Sequence, residues 1–524
     1  MSLSQQVLTN AQTRGESAAF IEPGWQISWL GYERASNALA RRMLDVGLKR
    51  GERIGVYLPD GIALHVALMA AEKAGLIALG IGARAGLREV EHLLKVAQAS
   101  ALLSLPQYRD QDMTQAFKRL SESIGTLRTH VPLPLADVQG SADAVGVSTE
   151  RLSKEGLSDD ELFLLNSTSG TTGMPKCVAH NQTRWYAFHR EAVAAADLND
   201  KDVFLGAAPP PFGFGLWTTH ITPTLLGAPT VKLPAFSAEQ ALQLIAEHRV
   251  SIISAVSTQF VMMLNSPSMQ SADLSSLRAM FTGGERVPYQ RAVDFENRSG
   301  AAVLQFYGSN ETGAFTNTTL RDPQEKRLTT AGRILQSMDV RLIDDQGLDV
   351  TASGFGRPAG KGPLLSRGYY NDDAANKSLY TDDGYMLMED LVSIDSEGYV
   401  QVAGRKGDFI IRGGKNISCA AVEEAVSAHP NIAIAAAVAV PDEVFGERVM
   451  LFVVTRDGKE ISLASLAENL ANRKVSRELT PEYVLICDEL PRSSGGKIAK
   501  GELRKRAEDH VRSLVENEKL QKGV

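Results

Sequence analysis

Leu162-Phe163-Leu164-Leu165-Asn166-Ser167-Thr168-Ser169-Gly170-Thr171-Thr172-Gly173-Met174-Pro175-Lys176-Cys177-Val178-Ala179-His180 is the stretch around which the chain is organised. The apolar run Leu162–Leu165 reads as a buried strand. It breaks into seven small residues, Ser167 to Gly173, five of which carry a hydroxyl. Such residues build no core. They can wrap a polyanion, because small side chains let backbone N–H groups approach phosphate oxygens and the hydroxyls add donors. Lys176 follows as a point charge on a flexible stem, suited to a phosphate. A polar stretch then leads to a predicted helix over about 183–196. The spacing is not that of a Walker loop. With Gly170 as the first residue, the sixth is Pro175 where Gly is needed, and Cys177 follows Lys176 where Ser or Thr is needed. A flexible linker would have a similar composition, but it would seldom follow a buried strand or end in Pro-Lys.

With 524 residues the chain is long for one core, and two or more domains are expected. A net charge of −7 with no Lys/Arg cluster argues against a nucleic-acid partner. Cys177, Cys419 and Cys487 are too few and too scattered for a disulfide framework or a zinc site, which fits a reducing cytoplasm. No signal peptide is read at the N-terminus, and no apolar run is long enough to span a membrane. None of the nine histidines falls in a metal-binding spacing, and His180 reads as a packing or surface residue.

Strand and helix alternate through the first three hundred residues. Strands are expected at 53–58, 75–80, 101–104, 203–205, 230–233, 252–256 and 279–282, and helices at 62–74 and 87–98. That order signifies a mostly parallel sheet flanked by helices. Residues 140–154 read as a polar surface connection. After about residue 340 hairpin-forming strands appear, at 340–347 and 399–404. Beyond Arg405 comes a small α+β pattern: helix 420–429, strands 434–440 and 448–455, helix 463–474. The expected architecture is α/β. Residues 1–405 form a large N-terminal domain of mixed, mostly parallel sheets with flanking helices and a β-rich subdomain. Residues 406–524 form a small, mobile α+β domain.

Further segments carry chemistry. Gly283-Gly284-Glu285 closes a predicted strand, where ligands of open α/β sheets bind, although a plain tight turn reads the same way. In Tyr307-Gly308-Ser309-Asn310-Glu311-Thr312-Gly313, Tyr307 could stack on a purine. Glu311 could help hold Mg²⁺ between phosphates, and Thr312 could donate to an α-phosphate. A turn with one solvated Glu is the plainer alternative. Asp382 to Leu391, Gly404 to Ile417 and Leu490 to Ile498 complete the set.

In this order the segments resemble the adenylate-forming superfamily: acyl- and aryl-CoA ligases, peptide-synthetase adenylation domains and luciferases. The resemblance runs from about residue 30 to residue 506. It implies an enzyme of the cytoplasm that joins a small carboxylic acid to ATP, releasing pyrophosphate, and passes the acyl-adenylate to the thiol of coenzyme A. ATP, Mg²⁺ and coenzyme A are the implied cofactors, and a homodimer is compatible with it. Ser167, Thr168, Ser169, Gly170, Thr171, Thr172, Gly173 and Lys176 become the pyrophosphate loop, with Cys177 where the family usually has Gly. Asp390 inherits the ribose hydroxyls, a task that suits a carboxylate because it accepts two hydrogen bonds. Met388-Glu389 replaces the family's Thr-Gly before that Asp, and Asn310 replaces a Thr before Glu311. Arg405 would contact ribose or phosphate. Gly407 falls on the hinge, where the family has Asp or Lys. Gly413, Gly414 and Lys415 would face the thiol tunnel. Lys497 would be the catalytic lysine, acting with Glu311, Thr168 and Lys176.

For the acid, the aromatic segment Pro209–Trp217 lacks the His of many fatty acyl ligases and is more similar to benzoate and aminobenzoate ligases. The Gly308–Thr316 loop is more similar to ligases for alicyclic or steroid-derived acids. An apolar cyclic acid is expected, lined by Phe212, Phe214, Trp217, Gly308, Gly313 and Ala314. The same aromatics would also suit the packed start of a helix. A carrier protein as acceptor is the alternative to coenzyme A; no carrier motif is read between Lys497 and Val524, which favours the thiol.

Overall fold

A computed structural model describes residues 2–143, 156–168, 174–208, 210–285, 287–405, 408–413, 415–442, 444–492 and 498–521. The expected alternation produces two large sheets among these residues. One has six strands, in the order Cys177–His180, Leu164–Ser167, Ile77–Gly80, Arg53–Tyr57, Ala101–Ser104, Thr129–Pro132. All its pairs are parallel except the first, which is a hairpin across the predicted phosphate loop. The strand therefore runs on through Asn166 and Ser167, beyond the apolar run. The segment after Lys176 is a second buried strand rather than a polar approach to the Gln182–Ala196 helix.

The other large sheet has nine strands: Arg333–Ile334, Gly313–Asn317, Ala302–Ser309, Ala279–Gly283, Ile252–Ser254, Phe204–Gly206, Thr230–Lys232, Ala18–Glu22 and Trp25–Ser28. Its centre is parallel and both its edges are antiparallel. Parallel strands buried on both faces read as near-continuous apolar runs, which is why these short segments were visible in the sequence. The Leu3–Arg14 helix and the Ala18–Glu22 strand carry no strong apolar period and do not show in the sequence. Residues 140–143 end a helix, Leu135–Asp143, whose Val138 and Ala142 are buried, rather than a polar connection; 144–154 lie outside the described residues.

A third sheet, Asp339–Ile343, Phe355–Lys361, Asp390–Ile394 and Val400–Arg405, is the β-rich subdomain. Residues 408–521 build a small α+β domain. Its sheet runs Lys415–Ser418, Phe409–Arg412, Gly446–Thr455, Ile432–Asp442, with Tyr483–Ile486 added parallel to the long hairpin. Its cores are its own, around Ile410, Val422 and Leu451 on one face and Val438, Phe452 and Leu503 on the other. No helix among the described residues is long and apolar enough to cross a membrane.

Candidate active site

The two sheets bring the ends of their strands together around the loop that follows Ser167. Ser167 is 1% exposed, and its hydroxyl has no hydrogen-bond partner among the described residues. A buried orphan hydroxyl is unfavourable unless something else accepts its proton, so it fits a ligand oxygen at the loop. Thr168 and Lys176 close the neck: the Thr168 N–H donates to the Lys176 carbonyl at 3.0 Å, and the Lys176 N–H donates to Thr168 Oγ1 at 3.1 Å. Ser169, Gly170, Thr171, Thr172 and Gly173 lie outside the described residues. The Lys176 side chain is exposed, and its ammonium sits 4.6 Å from the ring centroid of Tyr369.

Tyr369 in turn donates its phenol hydrogen to Glu311 Oε1 at 2.7 Å. Burial, and then the charge of Glu311, raise the phenol well above the usual tyrosine value, so it stays a donor. Tyr369 was not singled out in the sequence, where it follows a glycine beyond the recognised segments and has no polar signature. Glu311 Oε2 takes no hydrogen bond or ion pair among the described residues.

The loop carrying Glu311 is held from below. Arg184 donates from Nη2 to the Asn310 carbonyl at 2.8 Å and from Nε to the Leu364 carbonyl at 2.6 Å, and its third arm rests on His180 Nδ1. Burial lowers the guanidinium to about 9. His180 is fully buried, and burial followed by the Arg184 charge pushes it well down, so the ring is neutral. Its Nε2–H then donates to Asn166 Oδ1 at 2.7 Å. Asn166 and Asn310 exchange amide hydrogen bonds, at 2.7 and 3.1 Å. The Asn310 departure noted in the sequence thus finds its partner on the strand before the expected phosphate loop. His180 is a packing residue.

Thr312 is fully buried. Its hydroxyl accepts from the Ser309 N–H at 3.0 Å and donates to the Gly313 carbonyl at 3.0 Å, so it closes its own turn. Tyr307 donates to Asp390 Oδ2 at 3.1 Å, joining the expected purine and ribose positions. Asp390 is 8% exposed, and Arg405 lies opposite it in the strand register. Glu389 beside it is exposed. Glu285 accepts from the Thr258 N–H at 3.2 Å, at the start of the Ser257–Asn265 helix, and Gly284 is exposed. A Cβ on Gly283 would lie 2.4 Å from the Phe306 carbonyl, so strand packing demands glycine there.

On the expected acid side, Gly308 faces Ala314 and Ser309 faces Gly313 across a hairpin. A Cβ at Gly308 would lie 1.7 Å from the Gly313 carbonyl, and one at Gly313 would lie 2.4 Å from that of Leu364. Glycine at both is required by backbone approach. Ala314 is buried. Phe212 and Phe214 are half-buried at the start of a short helix, Gly213–Leu216. Trp217 opens the π-helical turn that follows it and is 2% exposed. Its ring meets Phe188, Phe214, Phe281 and Phe306 at centroid distances of 5.7, 5.8, 5.5 and 5.0 Å.

Gly413 and Lys415 make their described contacts away from this cluster. Gly413 donates to the Phe445 carbonyl and Lys415 pairs with Glu478, both partners in the small domain. Gly407, Gly414 and Lys497 lie outside the described residues. The small domain does reach the large one through Arg492, which donates to Thr258 Oγ1 at 2.9 Å.

Residues 7–370 match the family model described as AMP-binding enzyme, and residues 421–497 match that of the AMP-binding enzyme C-terminal domain. A feruloyl-CoA synthase of Amycolatopsis is 31% identical over 92% of this chain and 94% of its own. A medium-chain fatty-acid–CoA ligase of Escherichia coli is 28% identical over 94% of this chain and 88% of its own. Among solved structures, an anthranilate CoA ligase in complex with anthranoyl-AMP superposes with a TM-score of 0.86. It is 21% identical and covers 98% of both chains.

Proposed function

We propose that this chain, which belongs to the AMP-binding enzyme family, is an ATP-dependent carboxylate–CoA ligase acting on a cyclic, largely apolar acid. The observation that carries the reading is the convergence of Lys176, Glu311 and Asp390, from three separate segments, through Tyr369 and Tyr307.

The chemistry follows from what these groups can do. A carboxylate oxygen attacks the α-phosphorus of ATP and pyrophosphate leaves. Negative charge spreads over the phosphoryl oxygens in that transition state, so fixed cations and donors lower the barrier. Lys176, the Ser167 hydroxyl and the loop to Gly173 would take the pyrophosphate. Asp390 would accept from the ribose diol, Tyr307 would cover the purine, and Arg405 would reach ribose or phosphate. Lys497 would bridge the acid's carboxylate and the α-phosphate. The thiol of coenzyme A then attacks the acyl-adenylate carbonyl and AMP leaves. Rotation of the small domain about Gly407 would withdraw Lys497 and admit the thiol past Gly413-Gly414-Lys415, so that one site serves both steps.

Mg²⁺ fits through Glu311 Oε2. No cluster of three or more His, Cys, Asp or Glu side chains suited to a metal occurs among the described residues, so the ion would share its ligands with the ATP phosphates. When bound it would neutralise phosphate charge. Half-buried Phe212 and Phe214 support a flat or alicyclic acid, as do the feruloyl and anthranilate names among the relatives, while Trp217 is packed in the core beside them.

The test is release of AMP and pyrophosphate with a panel of aromatic, alicyclic, steroid and fatty acids, with and without coenzyme A. Pyrophosphate released with a cyclic acid, and AMP released only when the thiol is added, is the expected pattern. AMP release that requires a carrier protein instead would replace the acceptor, and a preference for linear fatty acids would overturn the acid class.

A further inference from the structure

Among the described residues Lys176 and Glu311 do not pair with each other; both contact Tyr369 instead. The ammonium lies 4.6 Å from that ring's centroid, and the phenol hydrogen is donated to Glu311 Oε1 at 2.7 Å. Tyr369 does not depend on either neighbour for its place. Its N–H donates to Asn376 Oδ1 at 2.7 Å, and Asn376 Nδ2 donates back to its carbonyl at 2.7 Å. The Asp373–Leu379 helix thus grips both sides of its peptide backbone. A bridge to Val178 fixes it to the strand that leaves the phosphate loop. The Glu311 backbone is held separately, its carbonyl accepting from the Ser366 N–H at 2.8 Å.

We infer that Tyr369 is a positioning residue that keeps Lys176 and Glu311 apart and aims the Glu311 carboxylate at the metal of the bound nucleotide. This rests on the nucleotide reading above. A direct pair between Lys176 and Glu311 would cancel the two charges the phosphates and the metal need. The ring prevents it, offering the ammonium a π face in place of a carboxylate. The phenol occupies Oε1 and leaves Oε2 to a cation, the arrangement by which groups behind a metal ligand orient it.

Binding, rather than turnover, separates this role from simple packing. Mn²⁺ affinity is read by electron paramagnetic resonance in the presence of a non-hydrolysable ATP analogue, and AMP affinity by calorimetry in EDTA. Tyr369→Phe keeps the ring and removes the hydrogen bond. It should weaken Mn²⁺ about tenfold, as partners behind metal ligands do, and leave AMP within about twofold. In a Glu311→Gln background the same substitution should change Mn²⁺ affinity by less than about twofold, because its target is gone. Equal loss of AMP and Mn²⁺ affinity in Tyr369→Phe would make Tyr369 a packing residue and overturn the inference. Unchanged Mn²⁺ affinity in a variant whose parent binds the ion would overturn it alone. A parent that binds no Mn²⁺ with the analogue would overturn the nucleotide reading together with it.

Discussion

Trp217 shows how much depends on a single side chain. It is enclosed by four aromatic rings, so removing it opens a hole as large as an indole. Truncating such a residue costs about 3–5 kcal/mol when the cavity stays empty and less when a ligand refills it. Trp217→Ala should therefore lose kcat/KM for benzoate steeply and hold or gain it for a steroid carboxylate. A uniform loss across all acids would make Trp217 part of the core alone, and Ala314 and Phe315 would be the next residues to vary. Lys497 is the other residue on which the proposed chemistry turns. Lys497→Ala should slow pyrophosphate release about 10²–10³-fold, the usual effect of deleting one charge-stabilising donor, while thioester formation from a supplied acyl-adenylate persists. Both half-reactions falling by the same factor would count against a lysine that serves only the first.

Between elements, the packing of the π-helical turn Trp217–Ile221 against the Ile62–Lys73 helix buries an unusual polar group. His220 Nδ1 lies 2.9 Å from His65 Nδ1, and nearby Lys232 pairs with Asp60 at 2.9 Å. Burial, then the Lys232 charge, lowers His220 to about 3, and burial lowers His65 as well. Burial raises Asp60 to about 6 against the pull of Lys232. For His220 the folded value lies below the unfolded one. The unfolded chain therefore binds more protons between about pH 6.5 and 3, and stability present above pH 6.5 is lost as the pH falls through that window. Asp60 acts in the opposite sense between its ordinary value and about 6. It does so in parent and variant alike, so it drops out of the comparison. Urea unfolding at pH 7 and pH 5 should show His220→Gln losing roughly 2 kcal/mol less than the parent over that interval. Equal pH sensitivity in the two proteins would place the titrating groups elsewhere.

At the scale of the molecule, the small domain has its own sheet and cores and meets the large one through contacts such as that of Arg492 with Thr258. A small domain with its own cores can rotate as one body against the large one. If Gly407 absorbs the rotation, Gly407→Pro should fix φ there and block it. Pyrophosphate release should survive and thioester formation should fall, measured as separate half-reactions. Equal activity in both steps would move the pivot to Lys406 or Asp408.

The sequence by itself determined the architecture and the chemical vocabulary of the site. Short apolar runs between turn residues marked the parallel strands, because strands buried on both faces have no alternation to hide. The hydroxyl-rich loop ending at Lys176 supplied the residues of the proposed phosphate site, because no core can be made from such residues. What the tertiary structure decided is which polar groups face one another. Asn166 and Asn310 are 144 positions apart and share two hydrogen bonds. Arg184 holds a loop more than a hundred residues away, and Tyr369 reaches Glu311 across 58 positions. None of these pairings has a local period or spacing, since each is created only when the two sheets bring their strand ends together. The same is true of glycines 308 and 313. Their surroundings are backbone atoms from the facing strand and from Leu364, whose approach follows from register and packing.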